Sequence, residues 1–251
     1  MAADPALRDA LYACCPSFGR GLHRMRFVIL SQAGPSGQAV PVPSPSVGIT
    51  LHESAPVAAD AAGVHVRLTD AGPEETRVPF PSATRVAGLG IVEAESRQAV
   101  AEWLRDAAGG DDEAGFEIRE TGCAGGLAGV DPSGTASKPR FLILVKADAD
   151  TEAEAPSDPA KLAAMAQRND EGVRAGLLLA GDGLRSTARG TRVRVGNGKA
   201  GVMDGPFAEA KELVAGFWLI QADSMDEAIA WVRRYPFAQA RPEVEIHPVA
   251  G

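Results

Sequence analysis

Short apolar runs recur along the second half of the chain, each about the length of one β-strand. They are rich in Leu, Ile, Val and Phe and are bounded by Gly, Asp or Pro, which is typical of strands that end in turns. The strands predicted from these runs cover residues 140–146, 177–181, 191–195, 217–222 and 243–248.

Two stretches of the same half have helical spacing instead. Residues 158–174 begin with Asp158 and Pro159, a capping acid followed by proline at the first helical position, and end before Gly176. Residues 224–235 begin with Ser224, and a Glu three residues later completes a capping box. The predicted order of elements is therefore βαβββαβ.

The chain also repeats this pattern. Residues 26–30 (RFVIL) match residues 140–144 (RFLIL) at an offset of 114, whereas Trp103 matches Trp231 at an offset of 128. The change of offset lies between residues 31 and 47, so the first copy lacks about four helical turns there. This stretch carries Pro35, Pro41, Pro43 and Pro45. Because proline lacks the N–H and clashes with the preceding turn, we expect a loop or an extended segment.

These elements predict an α+β fold of two tandem ferredoxin-like repeats. Two helices on one face of each sheet leave the other face bare, and the sheet of the other copy would cover it. We therefore expect an intrachain α+β barrel-type pseudo-dimer whose N-terminal copy lacks its first helix. The predicted organisation is an N-terminal extension, a degenerate repeat, a linker and a complete repeat, at 1–24, 25–122, 123–138 and 139–251. The extension has no counterpart before residue 140, so it is either disordered or lies ahead of a true start at Met25.

Composition narrows the classes of function. Hydrophobic residues make up 45% of the chain and charged residues 23%, which excludes a chain disordered throughout. The net charge of −8 argues against nucleic acid or an anionic membrane as a partner. No apolar run is long enough to span a bilayer and the start does not resemble a secretory signal, so we expect a cytoplasmic protein.

No metal or cofactor site is expected. Cys14, Cys15 and Cys123 form neither a CxxC motif nor an even disulfide framework, and the four histidines are scattered. The Gly-rich segments around Asp182 and Asn197 lack the spacing of phosphate-binding loops. Gly-Asn-Gly between two strands predicts a hairpin turn.

Several motifs of the second copy, in order and at the right spacing, resemble the YCII-related (YciI-like) family, in its DGPF-domain branch. They are the strand start FLILVK, the helix segment ending at Asn169, AGLLLAGDGL at 175–184, DGPFAEAKEL at 204–213 and AGFWLI at 215–220. The resemblance covers residues 139–249 and implies a dimeric α+β barrel of ferredoxin-like subunits.

The resemblance implies little about chemistry. One family member eliminates chloride from a chlorinated lactone, and a His and an Asp have been proposed as catalytic in another branch. Helix 158–174 contains no His here, so that mechanism does not carry over, and Asp204 is the family acid that remains. The DGPF branch is often encoded beside extracytoplasmic-function sigma factors, which implies a regulatory association. The first copy keeps only VPFP at 78–81, and we expect it to have lost any site.

Asp204 is the candidate catalytic residue, as a general base or polar anchor. The candidate ligand-binding residues are Asn169, Asp182, Glu209 and Trp218. The alternative for residues 204–207 is purely structural, since Asp-Gly-Pro is turn chemistry. Glu209 belongs to a charged stretch that would equally suit a solvated loop.

Two functions stay open at this point. The first is small-molecule binding in a C-terminal cleft, with metal-free and cofactor-free lyase or isomerase chemistry. The second is a non-enzymatic interaction or regulatory module, such as a sigma-factor partner, that uses exposed sheet edges. The protein would be a monomeric pseudo-dimer or a homodimer.

Overall fold

The computed structural model describes residues 24–34, 41–79, 81, 85–107, 113–122, 126–132, 136–207 and 213–251. The N-terminal half contains strands β1 (Met25–Gln32), β2 (Thr50–Pro56), β3 (Gly63–Thr69), β4 (Gly72–Val78), β5 (Val86–Ala94) and β6 (Ala114–Glu120), with helix α1 (Arg97–Ala107). The C-terminal half contains strands β7 (Arg140–Lys146), β8 (Leu178–Gly183), β9 (Thr191–Gly196), β10 (Lys199–Asp204), β11 (Val214–Gln221) and β12 (Glu243–Pro248). Its helices are α2 (Ala149–Glu152), α3 (Pro159–Arg174) and α4 (Met225–Arg233), and a short 3₁₀ turn covers Thr187–Arg189.

The predicted strands and the two predicted helices of the C-terminal half are confirmed, but β10 and the short helix α2 were not predicted. Helix α3 begins after Asp158, whose carboxylate accepts a hydrogen bond from the N–H of Ala160 at 2.8 Å. Helix α4 begins after Ser224, whose hydroxyl accepts from the N–H of Glu227. These caps fix where both helices start, because the first N–H groups of a helix lack partners within it.

The strands form two six-stranded antiparallel sheets, and the fold is α+β. The first sheet has the order β10-β9-β6-β1-β5-β2, and the second has the order β4-β3-β12-β7-β11-β8. Each half contributes its hairpin to the sheet of the other half: β3–β4 joins β12, and β9–β10 joins β6. The sequence predicted the Gly-Asn-Gly hairpin turn of the C-terminal half but not this exchange, because a hairpin carries no local signal for the strand it will pair with.

Apolar side chains fill three layers. The middle layer lies between the sheets and joins Val28, Leu30, Leu89 and Ile91 of the first sheet to Leu142, Leu144, Phe217 and Leu219 of the second. The outer layers pack α1 against the first sheet and α3 and α4 against the second. Residues along a strand alternate between faces, so the neighbours of these core residues point to the opposite layer.

The segment before β2 takes the place of a helix in the N-terminal half. Among the described residues between β1 and β2 there is no helix, as the prolines predicted. Val42 and Ile49 are buried on the outer face of the first sheet, and the indole N–H of Trp103 donates to the carbonyl of Ser44 at 3.1 Å. An extended segment therefore covers this sheet and satisfies the tryptophan of α1.

Within the described residues, no helix combines the length and apolar character needed to cross a bilayer. The expectations for residues 1–23, for the three cysteines and for Glu209 fall outside the described residues.

Candidate functional site

The turn that follows β10 packs tightly against the 3₁₀ turn. The N–H of Gly205 donates to the carbonyl of Gly190 at 3.0 Å, and the N–H of Phe207 donates to the hydroxyl of Thr187 at 3.3 Å. A Cβ at Gly205 would lie 1.8 Å from the carbonyl oxygen of Thr187, so only glycine fits this close approach. The bulky Phe207 is nevertheless buried.

Two glutamates hold the 3₁₀ turn in place. Glu152 accepts hydrogen bonds from the N–H of Thr187 at 3.1 Å and from its hydroxyl at 2.5 Å. Glu154 accepts from the N–H of Ser186 at 3.1 Å and from its hydroxyl at 3.2 Å. Partial burial opposes ionisation of Glu154, but the bonds from Ser186 and the nearby Arg189 and Arg185 outweigh it and lower its pKa.

A buried ionic cluster lies beneath this turn, between the two sheets. Glu117 bonds Arg119 on one carboxylate oxygen at 2.9 Å and Arg192 of the exchanged hairpin on the other at 2.8 Å. Arg119 also donates to the carbonyl of Arg185 at 3.0 Å. The three side chains are almost fully buried, so Glu117, the carbonyl and Glu152, which lies 3.8 Å from Arg119, must offset two permanent positive charges.

A cleft of about 910 Å³ opens beside the cluster. Both halves form it: β1, the segment before β5 and the start of β6 from one half, and β9, β10 and the following turn from the other. Its charged lining residues are Arg85, Arg192, Arg194, Lys199 and Glu113. Its apolar lining includes Ala114, Val195, Met203, Pro206 and Phe207.

Four basic side chains therefore face one acid in a chain whose net charge is −8. Glu117 neutralises part of the charge of Arg192, whose guanidinium lies 4.1 Å from the centre of the Phe207 ring. This stacking and the bond to Glu117 hold Arg192 in one orientation at the wall of the cleft. Such an arrangement attracts a small anion and offers its carbon skeleton an apolar surface.

A comparison with known protein families concerns the C-terminal half of the chain. The sequence profile of the YCII-related domain matches residues 140–250. Residues 140–250 belong to the YCII-related family. Among curated proteins, an uncharacterised protein of Rhizobium meliloti (strain 1021) is 40% identical over 70 residues, or 27% of this chain and 55% of that relative. The match spans about half of the relative's length and supports the family without adding an activity.

Asp204 lies in the YCII-related domain, at the end of β10, but does not line the cleft. Its carboxylate accepts a hydrogen bond from the Thr191 hydroxyl at 2.5 Å and lies 3.8 Å from the guanidinium of Arg97 on α1. Its side chain is 71% exposed. It thus points to the helix side of the first sheet, while Pro206 and Phe207, next in the chain, reach the cleft.

Asn169 and Trp218 meet at a different place, under α3 and α4. Tyr235 links them: its ring centre is 4.4 Å from that of Trp218, and Asn169 is hydrogen-bonded to its hydroxyl. Burial raises the pKa of Tyr235 and favours the neutral phenol. The predicted ligand-binding residues are therefore split between two layers of the fold.

Asp182 is separate from both groups. It lies on β8 opposite Phe217 and lines a narrow space that is also bordered by Arg26 and Thr121. The predicted residues Asp204, Asn169 and Asp182 thus stand in three locations, and their roles stay predictions.

The basic residues of the cleft were missed by the sequence interpretation. The run Thr191–Gly196 alternates arginines with valines, which places Arg192 and Arg194 on one face of a strand, and Lys199 follows the hairpin turn. That pattern was available as a signal of a basic strand face. What the sequence did not show is that the hairpin crosses to the other sheet and meets Glu117 and Arg85. Among the described residues, no three His, Cys, Asp or Glu side chains are grouped so as to hold a metal ion.

Proposed function

We propose that the protein binds a small organic anion, a carboxylate or phosphate with an apolar skeleton, in the cleft beside residues 204–207. The observation that carries this proposal is the excess of basic side chains around a cleft of about 910 Å³ in an acidic protein. In a protein with a positive net charge, basic residues around a cleft would be expected. Here the net charge is negative, so the local excess of basic residues indicates a binding role for the cleft.

The proposal includes the architecture. We infer that the chain is a tandem of ferredoxin-like units joined as an intrachain α+β barrel-type pseudo-dimer. The matching strand orders of the two sheets and the exchange of hairpins support this inference. In such a molecule the DGPF turn of the second unit completes a site on the first, so neither unit has the cleft alone.

Asp204 stays the predicted acid–base residue for metal-free lyase or isomerase chemistry on the bound anion. It is close to the cleft in the chain, and Thr191 and Arg97 hold its carboxylate. Because this carboxylate faces α1 and not the cleft, a ligand reaches it only by extending around the edge strand β10.

Titration calorimetry with inorganic phosphate, succinate and benzoate tests the binding. We expect binding that weakens with salt, and a loss of roughly tenfold, about 1.4 kcal/mol, in Arg194→Gln and in Lys199→Gln. Arg67→Gln is the matched control, because Arg67 holds on β3 the register position that Arg194 holds on β9. Equal weakening in Arg67→Gln, or no binding of any of the three anions, would contradict the proposal.

A second candidate, an interaction or regulatory module, is favoured by one feature. Strand β10 is exposed along its whole length at the edge of the first sheet, and Val202 is 53% exposed. An unpaired strand edge can accept a strand from a partner such as a sigma factor. Replacing Val202 with Lys would abolish such pairing and leave anion binding unchanged, which separates the two functions in one variant.

A further inference from the structure

A second cleft, of about 590 Å³, lies away from the DGPF turn, where β2 meets the start of β7 and the last residues of the chain. The charged side chains that line it are His52, Glu53, Lys138 and Arg140. The rest of its wall is formed by Leu51, Ser54, Ala136, Pro139 and residues 249–251.

The charged side chains at this cleft form two neighbouring groups, one around Glu93 and the other around Glu53. Nε2 of His52 lies 3.2 Å from the carboxylate of Glu93, which also bonds Arg26 at 3.3 Å. Glu53 pairs with Arg140 at 3.1 Å. Arg26 and Arg140 begin the two matching segments RFVIL and RFLIL, so one arginine from each half anchors one glutamate.

The local backbone directs His52 into this position. The register of β2 against β5 shifts between Leu51 and Glu53, which makes His52 the extra residue of a β-bulge. Bulges re-aim side chains and occur often beside functional sites. At the 128-residue offset of the repeat, the C-terminal half has Ala180 and Gly181 where this half has His52 and Glu53. The polar pair is therefore specific to the N-terminal half, which the sequence led us to regard as having lost any site.

The two groups differ in what they can do with a proton. Nε2 of His52 lies 3.2 Å from the carboxylate of Glu93, which leaves Nδ1 as the nitrogen for a ligand in the cleft. Burial raises the pKa of Glu53 above its ordinary value, although Arg140 opposes the shift. His52 thus stands beside the Glu53–Arg140 ion pair, and Lys138, itself paired with Asp223 at 2.9 Å, lies at the same wall.

We propose that this second cleft is an acid–base site for small carbonyl compounds that carry a carboxylate, with His52 as the base. Nδ1 takes a proton from the carbon next to the carbonyl, and the C–H electron pair forms the C=C bond of an enolate. The carbonyl oxygen takes the negative charge and faces Lys138 and Arg140. Return of a proton from Nδ1 of His52 to carbon completes an isomerisation or exchange and restores the neutral ring, and the step needs no oxidant or cofactor.

The probe is 4-oxopentanoate, and the measurement is the loss of its C3 proton signals by ¹H NMR in D₂O. We expect the full-length protein to exchange these protons faster than buffer and His52→Gln to lose about 100-fold of that enhancement. His65→Gln is the matched control, because His65 also faces a glutamate, Glu243, at 3.3 Å but lies on β3 away from this cleft. We expect His65→Gln to keep the wild-type rate.

Binding is followed separately through the ring ¹⁵N resonances of His52 on addition of the same probe. A shift of these resonances in the wild type, with exchange that depends on His52, supports the site. Exchange no faster than buffer, or equal exchange in His52→Gln and His65→Gln, would overturn it. Arg194→Gln should leave the exchange unchanged, so failure here and failure of anion binding in the first cleft are distinguishable.

Discussion

The layer between the two sheets has a buried polar cluster at each end, built on matching strands but with different charges. At one end Glu117 of β6 binds Arg119 and Arg192. At the other end Glu245 of β12 lies 3.2 Å from His247 and 3.4 Å from Lys146. The strands β6 and β12 hold the same place in their sheets.

The comparison of the two clusters shows that the backbone fixes the position of the buried glutamate, whereas the side chains around it decide the local charge. Both glutamates are buried to within a few per cent, so the fold provides the same desolvated position twice. The first end fills it with guanidiniums, which cannot lose their charge, and it borders the basic cleft. At the second end one of the two partners of Glu245 is the imidazole of His247. An imidazole is not a permanent cation, so Glu245 faces one permanent cation, Lys146, where Glu117 faces two.

Glu117→Gln against Glu245→Gln is the strongest test of this contrast. Removing Glu117 takes the nearest counter-charge from two buried guanidiniums and leaves Arg119 only the more distant Glu152, at 3.8 Å, so we expect a loss of about 3–5 kcal/mol in the free energy of unfolding. We expect Glu245→Gln to cost about 1–3 kcal/mol, because only one permanent cation, Lys146, loses its partner and its side chain is 14% exposed. Urea unfolding at pH 8 measures both, and equal losses would show that the guanidiniums are not what distinguishes the two ends.

Gly205→Ala should have the next largest effect. The added Cβ would lie 1.8 Å from the Thr187 carbonyl oxygen, and the surrounding turn is held by Glu152 and Gly190. We expect a loss of about 3 kcal/mol, seen as a lower melting temperature, together with weaker anion binding. The control is Val78→Ala, since Val78 pairs with Gly63 at the end of β4 in the other hairpin and already carries a side chain. A variant at Gly205 as stable as wild type would mean that the turn is not tightly packed.

The Glu117 cluster and the turn at Gly205 also show how much of the structure could be predicted from the sequence. Apolar runs and caps predicted the strands and helices of the C-terminal half, because strand and helix signals are local. The DGPF motif at residues 204–207 is also recognisable in the sequence, with a structural turn as the alternative to a functional role. That Asp204 points away from the cleft, while Arg192 points into it, depends on the hairpin crossing to the other sheet. Tertiary pairing of this kind has no local signature, so the sequence singled out residues 204–207 but not the basic residues that line the cleft beside them.

The two tryptophans give a smaller difference between the halves. The indole N–H of Trp103 donates to Ser44, whereas no hydrogen-bond partner of the Trp231 N–H occurs among the described residues. Both rings are buried, so Trp→Phe creates a similar cavity at each site. We expect Trp103→Phe to cost about 1 kcal/mol more than Trp231→Phe, because it removes a hydrogen bond as well as the ring atoms. Equal costs in guanidinium unfolding would indicate that the extended segment contributes no hydrogen bond of value.

The smallest expected effect on stability is at Glu154, and it is tested by varying the pH. Its pKa is lowered by the bonds from Ser186 and by Arg189 and Arg185, although burial opposes the shift. A carboxyl whose folded pKa is depressed stabilises the protein above its ordinary pKa of 4.5, and this contribution is lost as the pH falls through the lowered value. Glu154→Gln should therefore be less stable than wild type at pH 7, by less than about 1 kcal/mol because water screens the side chain. The two unfolding curves should converge as the pH drops below 4.5. A difference that persists unchanged into strong acid would mean that the charge of Glu154 is not what holds the 3₁₀ turn.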